Sequence, residues 1–126
     1  MATWREASVE CRNAAKNLLQ DGYLRSSINR SYYAAYAALS GRLEGKVLYK
    51  EGRDNPAHAD LPVYILRNLD ALSRQTRFAL VKAIGRLWKA RVIADYIPAT
   101  YIDRGIALNA LRDANTVLLA LEIEDE

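Results

Sequence analysis

The sequence has a single cysteine, Cys11, and a single histidine, His58, among 126 residues. One cysteine excludes an internal disulfide and a thiolate metal cluster. One histidine excludes a site built from several imidazoles, so neither a metal nor a cofactor is predicted. No apolar run approaches the roughly 20 residues that a membrane span needs, and the first residues do not resemble a signal peptide. We therefore expect one cytoplasmic, metal-free domain that does not associate with a membrane.

Acidic residues are scarce before the C-terminus. The formal net charge is +3, but four of the 15 acids lie in the final stretch EIEDE. Residues 1–121, the expected single domain, hold 18 bases against 11 acids, and 13 of these bases are arginine. Guanidinium groups suit phosphates, carboxylates and aromatic faces, which favours nucleic acid or an acidic protein as partner. A solvated basic surface explains the bias equally well. Residues 122–126 are interpreted as an acidic tail that is either frayed, which we favour, or shields the basic face of the same chain.

Helical signals follow one another along the chain. A capping box of Thr3 and Glu6 opens the first helix, and apolar residues then recur every three or four positions. The predicted core stripe of this helix is Trp4, Ala7, Cys11, Ala14 and Leu18. The second helix, over 23–43, has an apolar stripe of Leu24, Ile28, Tyr32, Ala35 and Leu39 and a small-residue stripe of Ser27, Ala34, Ala37 and Gly41. The small stripe would let another helix approach closely, inside the monomer or across a dimer interface.

The second half of the chain gives similar signals. The expected elements are a loop over 45–60, a third helix over 62–72, a fourth helix capped by Ser73 that runs to Tyr96, and a last helix opened by a capping box of Thr100 and Asp103. No segment keeps the alternation of a half-buried strand for long. The sequence therefore predicts an all-α fold, an antiparallel bundle of four to five helices.

Basic residues concentrate between positions 67 and 91, where seven bases accompany a single acid, Asp70. Lys82, Arg86 and Lys89 are spaced at i, i+4 and i+7, on one face of the fourth helix. Such a face could follow a phosphate backbone, and its binding would weaken steeply with salt. A solvated helix face is the alternative interpretation.

A second group of candidates combines arginine with tyrosine. Arg91 lies on the apolar side of the fourth helix with Asp95 one turn later, a pair that is either a structural latch or part of an anion-binding site. Arg30 precedes Tyr33 and Tyr36 on the second helix. Tyrosine joins apolar bulk to a hydroxyl group, so these rings could stack on a base or line a dimer interface, and we favour the interface.

Arg53 and His58 form the third candidate, an arginine followed five residues later by a histidine in the predicted loop. A histidine can move a proton at a ribose 2′-hydroxyl while an arginine stabilises charge on the phosphate, so the pair could cut RNA without metal. About a tenth of the residues are arginine, and chance alone gives such a match roughly three times in ten. The alternative is a histidine on a surface loop.

Two stretches resemble a known family. The segment Ser27 to Leu39, S-I-N-R-S-Y-Y-A-A-Y-A-A-L, is similar to the helix signature of HEPN domains, and Ala90 to Tyr96, A-R-V-I-A-D-Y, resembles a second family piece. HEPN domains are small α-helical proteins of prokaryotes, often in toxin–antitoxin and defence loci. The resemblance covers nearly the whole chain and implies a helical bundle that usually dimerises, with a cleft at the dimer interface.

The resemblance also implies alternatives for function. Many HEPN members are metal-independent endoribonucleases that use R-x(4–6)-H, whereas others pair with a nucleotidyltransferase-fold protein or bind nucleotides. By position Arg91 matches the ribonuclease arginine, but the histidine expected at 96–98 is absent there, and only Arg53 with His58 fits the pattern. We therefore expect a dimeric module that binds a nucleotide, RNA or an antitoxin or other acidic partner. The alternatives are a ribonuclease toxin using Arg53 and His58 and a purely structural dimer.

Overall fold

The computed structural model describes residues 3–123, which form a bundle of five α-helices without a strand. The helices are α1 (Trp4–Gln20), α2 (Leu24–Leu43), α3 (Leu61–Asn68), α4 (Arg74–Tyr96) and α5 (Arg104–Ala120), and a 3-10 turn, His58–Asp60, precedes α3. The predicted all-α fold is confirmed. None of the helices in this part of the chain combines the length and the apolar character needed to cross a membrane.

Helix α2 lies at the centre of the bundle and packs against α1, α4 and α5. A helix surrounded in this way must bury most of its circumference, and eleven residues of α2 are buried. Many of them are alanine or serine, so the neighbouring helices can come close to its backbone. The core therefore depends on short side chains in α2 as much as on the leucines and isoleucines around it.

The small-residue stripe of α2 faces α1 within the monomer. Ser27 is fully buried, and its hydroxyl donates a hydrogen bond to the carbonyl oxygen of Ala15 at 2.8 Å. A Cβ atom added at Gly41 would lie 3.0 Å from the Cβ atom of Trp4. Of the two alternatives for the stripe, close approach inside the monomer is therefore the one observed.

The predicted core stripe of α1 is wrong by one position. Trp4, Ala7, Cys11, Ala14 and Leu18 are only partly buried, and the buried residues are Ser8, Arg12, Ala15 and Leu19. Close packing on α2 selects short side chains at the centre of the contact, as at Ser8 and Ala15. The buried side also holds Arg12 and Leu19, so the side of α1 that faces the bundle is not its most apolar side. Apolar periodicity marks the more apolar side of the helix, which lies about 100° from the buried side.

Two of the three expected helix caps are confirmed. The Thr3 side chain accepts a hydrogen bond from the Glu6 backbone N–H, and Ser73 does the same for Thr76. The capping box at Thr100 is wrong, because α5 begins after Asp103, whose carboxylate accepts from the Ile106 N–H at 2.9 Å. Asp103 makes the cap alone.

The third helix ends four residues earlier than expected, at Asn68. Arg77 of α4 donates to the carbonyl oxygen of Leu66 at 2.7 Å and so satisfies part of the helix end from outside. At the C-terminus the packed chain extends to Ile123, which is buried and whose N–H bonds to the Leu118 carbonyl at 2.8 Å. The rest of the expected acidic tail, 124–126, lies outside the described residues.

The contact between α1 and α2 can be tested at Ser27. The change Ser27→Val adds volume at a fully buried position and removes the hydrogen bond to Ala15, so we expect the free energy of unfolding to fall by about 1–3 kcal/mol. Ser26→Val, at the exposed neighbour, should change it by less than about 0.5 kcal/mol. Urea denaturation followed by circular dichroism measures both. Equal losses in the two variants would contradict the close α1–α2 contact.

Candidate functional site

Arg91 of α4 lies among aromatic rings contributed by α2 and α4. Its guanidinium carbon is 5.7 Å from the centre of the Tyr32 ring and 5.4 Å from that of Tyr33. On its own helix it lies 5.1 Å from the Trp88 ring and 5.6 Å from the Tyr96 ring. Cation–π attraction in such a half-buried setting contributes about 1–2 kcal/mol per favourable pair. The packing of α2 on α4 thus brings together the Arg-x-Tyr-Tyr and Arg-x-x-Ala-Asp-Tyr pieces of the sequence.

A chain of hydrogen bonds fixes the polar groups at this position. Arg91 Nε donates to Asp95 Oδ2 at 3.0 Å, and the side-chain amide of Asn29 donates to the same oxygen at 2.8 Å. Arg30 Nε and Nη2 donate to Asn29 Oδ1 at 3.0 and 2.6 Å. The Arg91 and Asp95 side chains are only 14% and 22% exposed. The predicted pairing of Arg91 with Asp95 therefore exists, and Asn29 extends it to Arg30.

Two guanidinium groups lie over the ring of Tyr33. Arg30 lies 5.3 Å from its ring centre, and Arg91 lies 5.4 Å from it. We refer to Arg30, Tyr32, Tyr33 and Arg91 as the arginine–tyrosine cluster. Arg91 is bonded directly to the Asp95 carboxylate, whereas Arg30 is linked to it only through Asn29, so the positive charge of Arg30 has no ion pair within residues 3–123. Alongside runs a groove of about 610 Å³, lined by Leu18, Arg25, Ser26, Asn29, Arg30, Ala94 and Asp95.

Arg25 is a residue that the sequence analysis missed. Its guanidinium donates to five backbone carbonyl oxygens at the end of α4 and in the turn that follows, those of Ile93, Ala94, Ile97, Pro98 and Thr100. It thereby satisfies carbonyls that a helix end leaves unpaired. This cap holds the segment that carries Asp95 and Tyr96. Its partners lie about 70 residues away along the chain, so no local pattern reveals them.

His58 adjoins the cluster instead of lying on an open loop. Its ring stacks on Trp88 with centres 3.9 Å apart and planes at 16°, and its Nδ1 is 3.2 Å from the Tyr32 hydroxyl. Burial and then the charge of Arg91 lower the pKa of His58 below its ordinary value of 6.5. Burial also raises the pKa of Tyr32, so its hydroxyl stays protonated at neutral pH. A neutral imidazole at this place can accept a proton.

Arg53 has different surroundings. Its Nε donates to the Asn55 carbonyl at 3.1 Å, and its Nη2 donates to Asn55 Oδ1 at 2.9 Å and to the Pro56 carbonyl at 3.4 Å. The Tyr36 hydroxyl donates to the same Pro56 carbonyl at 2.7 Å. Arg53 and Tyr36 thus hold the loop in its fold, whereas His58 points to Trp88. The guanidinium of Arg53 is occupied by the loop itself.

The basic face predicted from Lys82, Arg86 and Lys89 is divided in the structure. Arg86 makes a bidentate pair with Asp113 of α5, at 3.0 Å from Nε and 2.8 Å from Nη2, so its charge is already balanced. Lys82 and Lys89 are exposed. At 100° per residue, both lie on the side of α4 opposite Arg91. The structure therefore does not bring these lysines to the arginine–tyrosine cluster.

Comparison with known proteins agrees with this assembly of motifs. The family model for the HEPN domain matches residues 1–124. The chain belongs to the HEPN domain family. The search of curated proteins gave no match. The stretches that carried the resemblance, one on α2 and one on α4, are those that meet at the arginine–tyrosine cluster.

The residues around Arg91 differ from the R-x(4–6)-H pattern. The residue five positions later is Tyr96, whose hydroxyl lies 3.5 Å from Arg91 Nη2. The imidazole near Arg91 is that of His58, which belongs to the segment before α3 and not to α4. Across residues 3–123 no group of three or more histidine, cysteine, aspartate or glutamate side chains could hold a metal ion. The site offers guanidinium groups, phenol rings, one carboxylate and one neutral imidazole.

The environment of His58 predicts a pH dependence of stability. Because its pKa is lowered in the folded protein, the unfolded chain binds the proton more readily, so this contribution to stability is complete above about pH 6.5 and is lost as the pH falls through the folded pKa. Between about pH 7.5 and 5, the wild-type protein should lose more free energy of unfolding than His58→Gln, which has no titrating ring. Urea denaturation at several pH values measures the difference. Parallel curves for the two proteins would refute the desolvated, neutral imidazole.

Proposed function

We propose that this HEPN protein is a binding module that holds a nucleotide or RNA phosphate at the arginine–tyrosine cluster. The observation that carries the proposal is the convergence of Arg30 and Arg91 on the Tyr33 ring with Asp95 as the one carboxylate beside them. A phosphate would neutralise the remaining positive charge. Arginine also offers a planar fork that matches phosphate oxygens in two parallel hydrogen bonds.

The surroundings of the cluster suit a nucleotide. A groove of about 610 Å³ lies within the 300–1,000 Å³ range of small-molecule sites. Arg30 and Asn29 line it, and the half-buried Tyr33 ring lies beside Arg30, so an aromatic side chain is close to the groove. Polar donors at one end and an aromatic face nearby fit the two chemical parts of a nucleotide.

Preorganisation favours binding further. Arg30 is held by two hydrogen bonds to Asn29, and Arg91 is held by Asp95 and by surrounding rings. Side chains that are already ordered lose less conformational entropy when a ligand arrives. A ligand that replaced the water around these groups would therefore gain most of the charge-assisted interaction energy.

Arg30→Gln tests this proposal. The change removes one guanidinium from Tyr33 but keeps an amide that can still bond Asn29, so we expect binding of adenosine and uridine monophosphates to weaken at least about tenfold, the size of a charge-assisted hydrogen bond. Isothermal titration calorimetry at low salt measures the dissociation constants.

Arg112→Gln, an exposed arginine on α5, is the matched control and should leave the constants unchanged. Wild-type protein that binds neither nucleotide nor a short RNA at low salt would overturn the proposal. An equal loss in the control variant would reduce the effect to overall charge.

The proposal extends to assembly. HEPN domains often dimerise, and we propose a cytoplasmic homodimer that works in a toxin–antitoxin or defence module with a nucleotidyltransferase-fold or antitoxin partner. In support, Tyr33 and Tyr36 are half-buried in the monomer and keep part of each ring free for a contact. Light scattering of the purified protein, compared with the monomer mass of 14.2 kDa, tests the homodimer.

A second candidate is a metal-independent ribonuclease that uses Arg53 and His58. The position of His58 favours it, since a neutral imidazole stacked on Trp88 and bonded to Tyr32 is held in place and able to accept a 2′-hydroxyl proton. Arg53 would have to leave Asn55 and Pro56 before its guanidinium could stabilise a phosphate. This requirement places the ribonuclease second.

The two candidates predict opposite results with RNA. For a binding module we expect no cleavage of RNA in the presence of a chelator at any pH from about 5 to 8, as measured by gel electrophoresis of a labelled transcript. Cleavage that disappears in both His58→Ala and Arg53→Ala would replace the binding module by the ribonuclease. Cleavage that persists in both variants would indicate a contaminant, and the binding module would stand.

A further inference from the structure

The outward face of α4 carries a regular set of side chains outside the arginine–tyrosine cluster. At 100° per residue, five of them fall within an arc of about 80° that lies opposite the buried residues of the helix. We call them the outer strip, and they are Arg74, Phe78, Lys82, Lys89 and Tyr96. The strip runs for about 33 Å along the helix at 1.5 Å per residue.

Two aromatic residues stand near the ends of the outer strip. Phe78 is 43% exposed and Tyr96 is 65% exposed. The guanidinium carbon of Arg74 lies 5.5 Å from the centre of the Phe78 ring. Each ring therefore keeps much of its surface toward solvent.

Positively charged side chains lie between and beside the Phe78 and Tyr96 rings of the outer strip. Lys82 and Lys89 are exposed and form no ion pair within the part of the chain that the structure describes, 3–123. The only acid of α4 is Asp95, which is bonded to Arg91, and Asp113 of α5 is occupied by Arg86. The strip thus presents three cations, with Arg74, and no carboxylate.

The chemistry of the strip disfavours a two-fold contact between the strips of two copies of this chain. A two-fold interface through this face would place lysines and arginines against lysines and arginines, because the same residues appear on both sides. Like charges in contact cost free energy at an interface. The partner must instead be polyanionic and must also have flat apolar groups for Phe78 and Tyr96.

We infer that the outer strip binds a single-stranded nucleic acid, with bases stacked on Phe78 and Tyr96 and phosphates paired with Lys82 and Lys89. Single strands have base faces available for stacking, whereas a duplex hides them. Gly85, between the two lysines, has no side chain, and a Cβ added there would meet nothing within 4 Å. The middle of the strip is therefore open to a sugar–phosphate backbone.

The outer strip ends beside the proposed phosphate site but does not depend on it. The Tyr96 ring lies 5.6 Å from the guanidinium carbon of Arg91, so a strand that follows the strip reaches the arginine–tyrosine cluster at one end. The inference extends the proposed function from one phosphate to several successive nucleotides. It uses different residues, so the two can fail separately.

Salt dependence tests the strip. We expect wild-type protein to bind a fluorescein-labelled oligouridine of about 12 nucleotides, and Lys82→Gln with Lys89→Gln to weaken that binding at least tenfold at low salt. The slope of log affinity against log salt should become shallower by about 1.4, because each phosphate contact with a single strand contributes about 0.7. Fluorescence anisotropy at several salt concentrations gives both quantities.

The control for charge is Lys46→Gln with Arg112→Gln, two exposed bases on other elements than α4, which should keep the wild-type slope. Phe78→Leu keeps an apolar side chain without an aromatic face and should weaken binding at least about fivefold. Circular dichroism verifies that each variant is folded. Nucleotide monophosphate binding should not change in any strip variant, whereas Arg30→Gln should lower it and keep most of the oligonucleotide salt slope.

Several results would overturn the inference. These are no binding of the oligonucleotide by the wild-type protein, equal losses in the control and strip variants, a duplex bound as tightly as the single strand, or polyglutamate bound as tightly as oligouridine. An oligothymidine of the same length shows whether the strip prefers single-stranded RNA or binds single-stranded DNA as well. Comparable affinity assigns the strip to either nucleic acid, and a preference for oligouridine assigns it to RNA.

Discussion

The burial of α2 between α1, α4 and α5 is the constraint on which the rest of this structure depends. Its small residues, among them Ser27 and Ala34, must face α1, because only short side chains allow the two helices to come so close. At 100° per residue this choice turns the opposite side of α2, with Tyr32 and Tyr33, toward α4. The aromatic surroundings of Arg91 therefore follow from how α1 packs. A change in the α1–α2 contact would rotate the tyrosines away from Arg91.

Few groups offset the positive charges of the arginine–tyrosine cluster. Arg30 and Arg91 approach the same ring, and Asp95 is bonded directly to one and through Asn29 to the other. Aromatic faces and one carboxylate offset the repulsion between the guanidinium groups only in part. The phosphate that we propose for this site would supply a further negative charge.

The sequence predicted features that depend on neighbouring residues. The helices, the caps at Thr3 and Ser73 and the pairing of Arg91 with Asp95 all follow from spacings of a few residues. Features that join distant segments could not be predicted, such as Arg25 on the carbonyls that end α4, His58 on Trp88 and Arg86 on Asp113. The error in the α1 stripe has the same origin, because the buried side of a helix is decided by the shape of its partner. The roles of Arg53, Tyr36, Lys82 and Lys89 in binding or catalysis stay predictions.

The residues proposed for phosphate binding and those proposed for RNA cleavage lie on different kinds of structural element. Arg30 and Arg91 are carried by long helices whose register is fixed by the core, and groups on such elements are held more accurately than groups on loops. His58 is delivered by the segment between α2 and α3, and its position depends on a stack with Trp88 and a hydrogen bond to Tyr32. Arg53 belongs to the same segment, and its guanidinium group donates hydrogen bonds to Asn55 and Pro56 of that segment. Phosphate binding needs only the helix-borne groups, whereas strand cleavage needs both loop residues to align on one phosphate. The fold therefore supports binding with the groups that it holds most firmly.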